Sequence, residues 1–347
     1  MLLLHLLAMC SDIPAVSENV VVVVADGLRR EEVFGGAQAD LLNGVGHAYQ
    51  QQYGGAGADE RRRALMPFLW STVMDEGQLL GDPDKGSSCE VTNPHLFSYP
   101  GYSEMLCGFV DPRISKNDPI PNPNPTVFEW LNGKPEFKGH VAAFGAWDVI
   151  SSVFNKQRCN FDDVAGYEPV PGRQLSAPLR RLNTAKRFAP RVWKNEAPDA
   201  LTFDTALEYV KSKRPRALFI SLGETDKWAH EGRYDRYLDA AHAFDADVAQ
   251  LWRTLQAIPQ YQDKTTLIVT CDHGRGAGLD WRSHGRKLPN SKFTWMAFVG
   301  PGTSPGGDVA GVHATNAQIA STAAAALGFN YAWSVPKAAP PLLSAIR

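Results

Sequence analysis

Three aspartates follow apolar runs in this sequence, and two of them have a histidine close by. Asp26 directly follows the run VVVVVA, Asp226 comes four residues after LFISL, and Asp272 directly follows LIVTC. His230 lies four residues after Asp226, and His273 directly follows Asp272. Three carboxylates brought together would repel one another, and a divalent cation relieves that repulsion. Carboxylates combined with imidazoles favour zinc, with manganese as the alternative, over calcium or magnesium.

A further histidine and a serine complete the set that could do chemistry. His284 lies eleven residues after His273, and three aspartates with three histidines are enough ligands for two ions with open positions. Two ions suit displacement at phosphorus, because one holds the attacking oxygen and the other the leaving or non-bridging oxygen. Ser98, just before a helix predicted over 102–107, would be the nucleophile beside amide groups that favour an anion. Each aspartate could also be a turn former and Ser98 an ordinary N-cap, so the hypothesis depends on their coincidence.

The elements that must position these residues follow from the hydrophobic pattern. Continuous apolar runs at 20–25, 216–222, 265–270 and 294–299 are typical of strands buried on both faces. Helical patterns alternate with them, at 66–81, 204–213, 237–255 and 316–327. The alternation predicts an α/β fold with a mainly parallel central sheet and helices on both faces. The carboxyl ends of parallel strands meet at one edge, so we expect the three aspartates to converge there.

The chain divides into four segments of different character. Residues 1–18 begin with an apolar stretch too short to span a bilayer, which favours an export signal over an apolar arm docked on the domain. Residues 19–330 form the predicted catalytic domain. Within it, 110–200 are predicted to include an insertion or lid, and 151–200 to lie outside the core. Residues 331–347 form a proline-rich tail.

The composition restricts the classes of partner that we expect this chain to bind. The chain of 347 residues is 44% hydrophobic and 21% charged, with a net charge of −2, as expected of a globular protein without a nucleic-acid-binding signature. No segment has the length of a transmembrane helix. The five cysteines include no C-x-x-C pair, which argues against a thiolate zinc site. We therefore expect a small-molecule phosphate ester as the partner, while the sequence leaves the oligomeric state open.

The ordered set Asp, Ser, Asp-x-x-x-His, Asp-His, His resembles the alkaline phosphatase superfamily from about residue 19 to 330. Its nearest branch is the nucleotide pyrophosphatase/phosphodiesterase type. That branch carries a Thr-Phe-Pro-Asn nucleophile segment with a glycine ten residues on, and Ser98-Tyr99-Pro100-Gly101 with Gly108 matches it in register. Glu224-Thr225-Asp226-x-x-x-His230 resembles the branch's Glu-Pro-Asp-x-x-x-His.

The resemblance implies an alkaline-phosphatase-like fold and a two-metal hydrolase of phosphoric esters with a phosphoseryl intermediate. One divalent ion would be bound by Asp26, Ser98, Asp272 and His273, with Ser98 as the covalent nucleophile. The other would be bound by Asp226, His230 and His284. His313 competes with His284 as the last ligand, and His284 is preferred because 281–286 lead directly into the strand predicted at 294–299.

Two departures from the family patterns leave alternatives open. Gly101 replaces the asparagine that orients a non-bridging phosphate oxygen in phosphodiesterase relatives, which weakens the case for nucleotide diesters. Tyr102 stands where sulfatases have the arginine of Cys/Ser-x-Pro-x-Arg. The alternatives are phosphomutase-type phosphotransfer, sulfatase-like ester hydrolysis and a non-catalytic metal-binding protein. Lys227 or Arg286 could contact phosphate, although either could equally be a solvated charge.

Overall fold

The computed structural model describes residues 13–347. The expectation of an export signal or apolar arm over 1–18 falls mostly on residues 1–12, which lie outside the described residues. Among residues 13–347, no helix combines the length and the hydropathy needed to cross a membrane. The described chain forms two β-sheets, with helices packed on both faces of the larger one.

The larger sheet confirms the predicted α/β class. In chain order the strands are β1 (Asn19–Ala25), β2 (Gly77–Leu80), β3 (Ser88–Glu90), β4 (Val141–Gly145), β5 (Asp162–Ala165), β6 (Ala217–Leu222), β7 (Thr265–Cys271), β8 (Phe293–Thr294), β9 (Met296–Val299), β10 (Gly307–Asp308) and β11 (His313–Thr315). Eight of them form the order β10-β2-β9-β7-β1-β6-β4-β5, and β11-β3-β8 form a small second sheet. In the larger sheet β9 is antiparallel to both neighbours, and the other pairings are parallel.

Helices cover both faces of this sheet. In chain order they are α1 (Arg30–Gly35), α2 (Ala39–Leu42), α3 (His47–Tyr53), α4 (Ala58–Leu65), α5 (Met74–Glu76), α6 (Ser98–Cys107), α7 (Val127–Asn132), α8 (Ile150–Val153), α9 (Ala177–Phe188), α10 (Asp199–Lys213), α11 (Glu224–His230), α12 (Tyr234–Gln256), α13 (Gln318–Ala326) and α14 (Tyr331–Ser334). Strand β1 shows why two layers form, since its side chains alternate between two cores. Val21 and Val23 join the core beneath α10 and α12, while Val20 and Val22 join the core beneath α6, α7 and α13.

The site edge of the sheet is set by the register of its three central strands. Ala25, the last residue of β1, pairs with Leu222 of β6 and with Cys271 of β7. The three parallel strands therefore end level with one another. The segments that follow them begin side by side, which is where open α/β sheets bind ligands.

The helix predicted over 66–81 is wrong in its second half. A π-helical turn at Leu69–Val73 and the short α5 account for its start, but Gly77–Leu80 form β2, paired with β9. A Cβ at Gly77 would lie only 2.2 Å from the Phe298 carbonyl oxygen, so the missing side chain permits this close pairing. The apolar spacing in 66–81 suits a helix as well as a strand, and pairing with β9 decides between them.

The segment 151–200 is not wholly outside the core, contrary to expectation. Strand β5 within it is the edge strand of the main sheet, paired in parallel with β4. The isolated bridge between Trp147 and Glu196 ties the end of the same segment to the loop after β4. In the proline-rich tail, Ala345 and Ile346 are buried against the core. A lid function for part of 110–200 stays a prediction.

Candidate active site

The three strand-following aspartates converge at the site edge. Asp26 directly follows β1, Asp272 directly follows β7, and Asp226 lies in the first turn of α11, after β6. All three are buried, and Asp272 is fully so. The sequence folds this way because three apolar strands of similar length are stacked in parallel register, which places whatever follows them in one cluster.

The first cluster, which we call the serine-side group, comprises Asp26, Ser98, Asp272 and His273. The potential ligand atoms of Asp26, Asp272 and His273 lie within 4.8 Å of one another. His273 Nδ1 is 2.8 Å from the Gly274 carbonyl oxygen, so this nitrogen carries the proton. His273 Nε2 then faces Asp26 Oδ1 at 3.4 Å and Asp272 Oδ2 at 3.5 Å.

Helix α6 begins at Ser98 itself, four residues before the helix predicted over 102–107. Its Oγ lies 3.4 Å from Asp26 Oδ1 and 3.3 Å from His273 Nε2, and the residue is 5% exposed. The Tyr102 hydroxyl, one turn along α6, donates to Asp26 Oδ2 at 3.1 Å. The amino-terminal turn of α6 is thus tied to the end of β1 through two side chains.

Gly101 allows α6 to approach so closely. A Cβ at this position would lie 2.4 Å from the Asp272 carbonyl oxygen. Position 101 therefore faces the end of β7, and any larger residue would push α6 away from it. A side chain at 101 would meet the backbone of Asp272, so this structure has no room there for the asparagine of the phosphodiesterase relatives. The weakened case for nucleotide diesters stays a prediction.

The second cluster, which we call the outer group, comprises Asp226, His230 and His284. His230 Nε2 lies 3.3 Å from Asp226 Oδ2, and His284 Nε2 lies 3.4 Å from Asp226 Oδ1. The two histidine Nε2 atoms are 2.9 Å apart. His284 Nδ1 lies 3.2 Å from the Leu96 carbonyl oxygen, which leaves its Nε2 free to act as a ligand.

His313, the competing candidate for the last ligand, lies elsewhere. It is in β11 of the small sheet, and its Nδ1 contacts Ser88 Oγ at 2.9 Å. His284 lies instead against His273, with ring centroids 4.0 Å apart. The structure therefore brings together the seven side chains expected from the sequence, with His284 and without His313.

Comparisons with known proteins agree with this architecture. Residues 189–287, which include the candidate ligands from Asp226 to His284, match the sequence profile of the Metalloenzyme superfamily. No curated protein sequence matches the chain. Among solved structures, alkaline phosphatase PafA has a TM-score of 0.62 at 10% identity, with 96% of this chain and 100% of PafA covered. The chain has the fold of the alkaline phosphatase superfamily.

Other solved structures with this superfamily fold carry different names. A putative sulfatase from Bacteroides thetaiotaomicron matches with a TM-score of 0.62 at 13% identity, covering 95% of this chain and 75% of the sulfatase. The lipoteichoic acid synthase LtaP from Listeria monocytogenes matches with a TM-score of 0.59 at 12% identity, covering 92% of this chain and 74% of LtaP. The neighbours thus share a fold but not one substrate, and the nucleotide pyrophosphatase branch stays a prediction.

The metalloenzyme profile implies divalent metal ions, and the serine-side group fits one. Burial, reinforced by the Asp26 carboxylate, raises the pKa of Asp272 well above its usual value. Asp272 Oδ2 is buried without a hydrogen-bond partner among the described residues. Two buried carboxylates and an imidazole with Nε2 turned toward them form a donor set that a divalent cation would neutralise.

The protonation states of the outer group are those that metal binding requires. Burial and the neighbouring His273 lower the pKa of His284 well below its usual value, so the imidazole is neutral, as a ligand must be. The pKa of Asp226 is also lowered. Burial, the largest single influence, opposes ionisation of this carboxyl, but the Arg275 guanidinium, His230 and His284 together outweigh it. Asp226 is therefore an ionised carboxylate held between an arginine and two imidazoles.

Sequence reasoning missed Arg275, although it lies two residues after His273. Arg275 is 1% exposed, and its Nη1 donates to Asp226 Oδ1. Gly27 makes room for it, since a Cβ there would lie 2.8 Å from Arg275 Nη1, and its φ of +61° also favours glycine. A charged residue between glycines reads as a surface loop, so nothing in the sequence pattern marked it.

A cavity of about 420 Å³ opens onto both groups. Besides the ligands, it is lined by Asn117, Trp147, Asn195, Glu196 and Lys227. Lys227 Nζ is 3.1 Å from Glu196 Oε2, and Asn117 Oδ1 accepts a hydrogen bond from Tyr99 N at 2.9 Å. Of these residues the sequence singled out Lys227. Asn117 and Glu196 come from loops without periodicity and gave no signal.

Proposed function

We propose that this chain is a metal-dependent hydrolase of phosphoric esters with Ser98 as its nucleophile. The observation that carries the proposal is the position of Ser98 Oγ. It lies 3.4 Å from Asp26 Oδ1 and 3.3 Å from His273 Nε2, at the mouth of a cavity lined by the outer group. Ser98 is not the N-cap of α6, since that residue is Phe97, and the Ser98 hydroxyl contacts Asp26 and His273 instead of its own helix.

The reaction has two displacements at phosphorus. In the first, Ser98 Oγ forms a bond to phosphorus, the bond to the leaving oxygen breaks, and a phosphoseryl intermediate results. Asp26 Oδ1 is the acceptor placed for the serine proton. In the second, water attacks the phosphoseryl group, the bond from phosphorus to Ser98 Oγ breaks and Ser98 takes back a proton. A monoester substrate then yields inorganic phosphate, and a diester yields a phosphate monoester. Divalent ions at the two groups would supply positive charge for the serine oxygen and for the phosphoryl and leaving oxygens.

Two cavity residues are placed to bind the phosphoryl oxygens. Lys227 brings an ammonium group that Glu196 holds at 3.1 Å, and Glu196 is only 3% exposed. Asn117 is fixed by its hydrogen bond from Tyr99 N, which leaves its amide NH2 group available to the cavity. A cation and an amide donor on one wall would position the ester for attack.

Sulfate ester hydrolysis is the weaker candidate, even though one structural neighbour is named as a putative sulfatase. Position 102, where the sulfatase pattern needs arginine, is Tyr102, which is fully buried and donates to Asp26. Its hydroxyl is therefore already used to hold a serine-side carboxylate. The phosphomutase alternative shares the first displacement and differs only in what accepts the phosphoryl group.

An assay with three ester substrates tests the proposal. The metal-loaded protein is offered an aryl phosphate, a bis-aryl phosphate and an aryl sulfate, and the release of phenol and inorganic phosphate is followed. We expect hydrolysis of at least one phosphate ester, with free phosphate as the product of the aryl phosphate and an aryl phosphate as the product of the bis-aryl phosphate. Adding alcohols or sugars separates a mutase, which would return the phosphoryl group to a hydroxyl. Bound metal without turnover on any of these esters would favour a binding protein instead.

A further inference from the structure

Arg275 is buried against a residue proposed to bind metal. Its Nη1 donates to Asp226 Oδ1, its Nε donates to the Trp281 carbonyl oxygen at 2.8 Å, and its Nη2 donates to the Arg282 carbonyl oxygen at 2.6 Å. A guanidinium keeps its charge under all ordinary conditions. A permanent positive charge beside a cation site lowers the affinity of that site for a metal ion.

The two groups differ in the charge that they offer a metal. The serine-side group has two buried carboxylates, Asp26 and Asp272, and one oxygen of Asp272 has no partner among the described residues. In the outer group the carboxylate of Asp226 is already matched by Arg275. The guanidinium engages Oδ1, which leaves Oδ2 beside His230 Nε2 as the free ligand atom.

We infer that Arg275 is a resident cation for Asp226, which makes the outer group a weaker, exchangeable metal site and the serine-side group the retained one. The inference rests on the proposed two-metal site and deepens it. Because Arg275 also holds the backbone before His284, the outer ligands keep their places when no metal is bound. In the serine-side group the two buried carboxylates face the imidazole of His273, and among the described residues no lysine or arginine forms an ion pair with either of them.

The first experiment measures how many zinc ions stay bound when a chelator competes for them. The zinc-loaded protein is dialysed against a chelator of graded strength, and zinc per chain is determined by elemental analysis. We expect one ion to leave at a chelator strength about 10- to 100-fold lower than the other. The retained ion should persist in His230→Ala and be lost in Asp272→Asn. Loss of both ions together, or loss of the retained ion in His230→Ala, overturns the inference.

The second experiment separates charge compensation from simple packing. Arg275→Met removes the charge, and Arg282→Met is the matched control, since Arg275 bonds only the backbone oxygen of residue 282. We expect metal-free Arg275→Met to melt well below the metal-free parent, because Asp226 is left as an unpaired buried charge. Added zinc should recover most of that difference, and Arg275→Lys should lose less.

An equal loss of melting temperature with and without zinc would show that Arg275 acts only through packing, and would overturn the inference. Zinc should shift the melting temperature of Arg282→Met no more than that of the parent. Neither experiment requires turnover. A protein that hydrolyses no ester but shows unequal zinc retention would contradict the proposed reaction alone, and a hydrolase with equal retention would contradict the inference alone.

Discussion

The serine-side group and the outer group share one sheet edge but differ in burial and charge. Asp272 and His273 are fully buried, whereas the His230 side chain is 45% exposed. The serine-side group has two buried carboxylates that face one imidazole, while Arg275 pairs with the one carboxylate of the outer group. We propose that this difference gives a division of labour, with the proposed nucleophile in the buried half and the more readily exchanged metal ion in the solvent-facing half.

Removing the nucleophile should have the largest effect. We expect Ser98→Ala to lower kcat/KM for an aryl phosphate by on the order of 10³-fold or more, because no other described serine contacts the serine-side carboxylates. Ser88→Ala is the matched control, since Ser88 contacts only His313 in the small sheet. Activity of Ser98→Ala equal to the parent would sink the site assignment.

Substitution of one proposed ligand in each group tests whether the two groups differ in their metal dependence. Asp272→Asn should lower activity by about 10²-fold or more and should also lower metal content, because it removes charge from the buried half. His230→Ala, in the exposed half, should cost less and should be partly restored by excess zinc. His313→Ala should behave as the parent. The measurement is a zinc titration of kcat/KM for the three variants, and equal responses of the two ligand variants would contradict the division.

The buried imidazoles should give the metal-free protein opposite pH responses. For His273, burial is outweighed by Asp272 and Asp26, which raise its pKa to about 9 from 6.5. Its contribution to stability, at most about 3 kcal/mol, is present below pH 6.5 and is lost as pH rises to 9. The pKa of His284 is lowered by burial and by His273. Its neutral form therefore stabilises the fold above pH 6.5, and that stability is lost as pH falls below it.

Urea unfolding of the chelated protein between pH 5 and pH 9.5 measures these responses. We expect the free energy of unfolding to fall on both sides of a maximum near neutral pH. His284→Asn should flatten the acid side only, and the exposed His313→Asn should change neither side. A free energy of unfolding that rises steadily from pH 6.5 to pH 9 would contradict the raised pKa of His273.

Gly101→Ala tests the tight seating of α6 on the serine-side group. A Cβ there would lie 2.4 Å from the Asp272 carbonyl oxygen, so the helix must shift. We expect a loss of about 1–3 kcal/mol in the free energy of unfolding and a loss of activity. At Gly46 a Cβ meets nothing within 4 Å, and φ is −64°, so Gly46→Ala is the matched control. Equal stability of the two variants would show that α6 is seated more loosely.

The smallest expected effect is that of replacing Lys227, which lines the cavity. Lys227→Met should weaken inhibition by inorganic phosphate about 10-fold, the size of one hydrogen bond to a charged group. Metal content should not change. The exposed Lys194→Met serves as the control, and the inhibition constant for phosphate is the measurement. An unchanged constant in Lys227→Met would show that its ammonium group serves Glu196 alone.

The strand ends were the most predictable part of the molecule. The runs before Asp26 and Asp272 are rich in β-branched residues and fully buried, so strand type and parallel packing follow from local composition. Helix α12 has long amphipathic spacing and was predicted over 237–255. The three site aspartates meet because the strands that precede them end in register.

The missed features depend on contacts between distant segments. Strand β2 was read as a helix, because only pairing with β9 distinguishes the two for a short apolar run. Strand β5 was assigned to an insertion for the same reason. Arg275, Asn117 and Glu196 have roles defined by partners 49, 18 and 31 residues away in sequence, which no local pattern encodes.

Mapping of the phosphoryl group during turnover tests the central claim most directly. The metal-loaded protein is quenched with acid while hydrolysing an aryl phosphate, digested and analysed by mass spectrometry. The proposed mechanism predicts a phosphoryl group on Ser98 in the parent and none in Ser98→Ala. Steady hydrolysis with the phosphoryl group on another residue, or undiminished hydrolysis by Ser98→Ala, would contradict it.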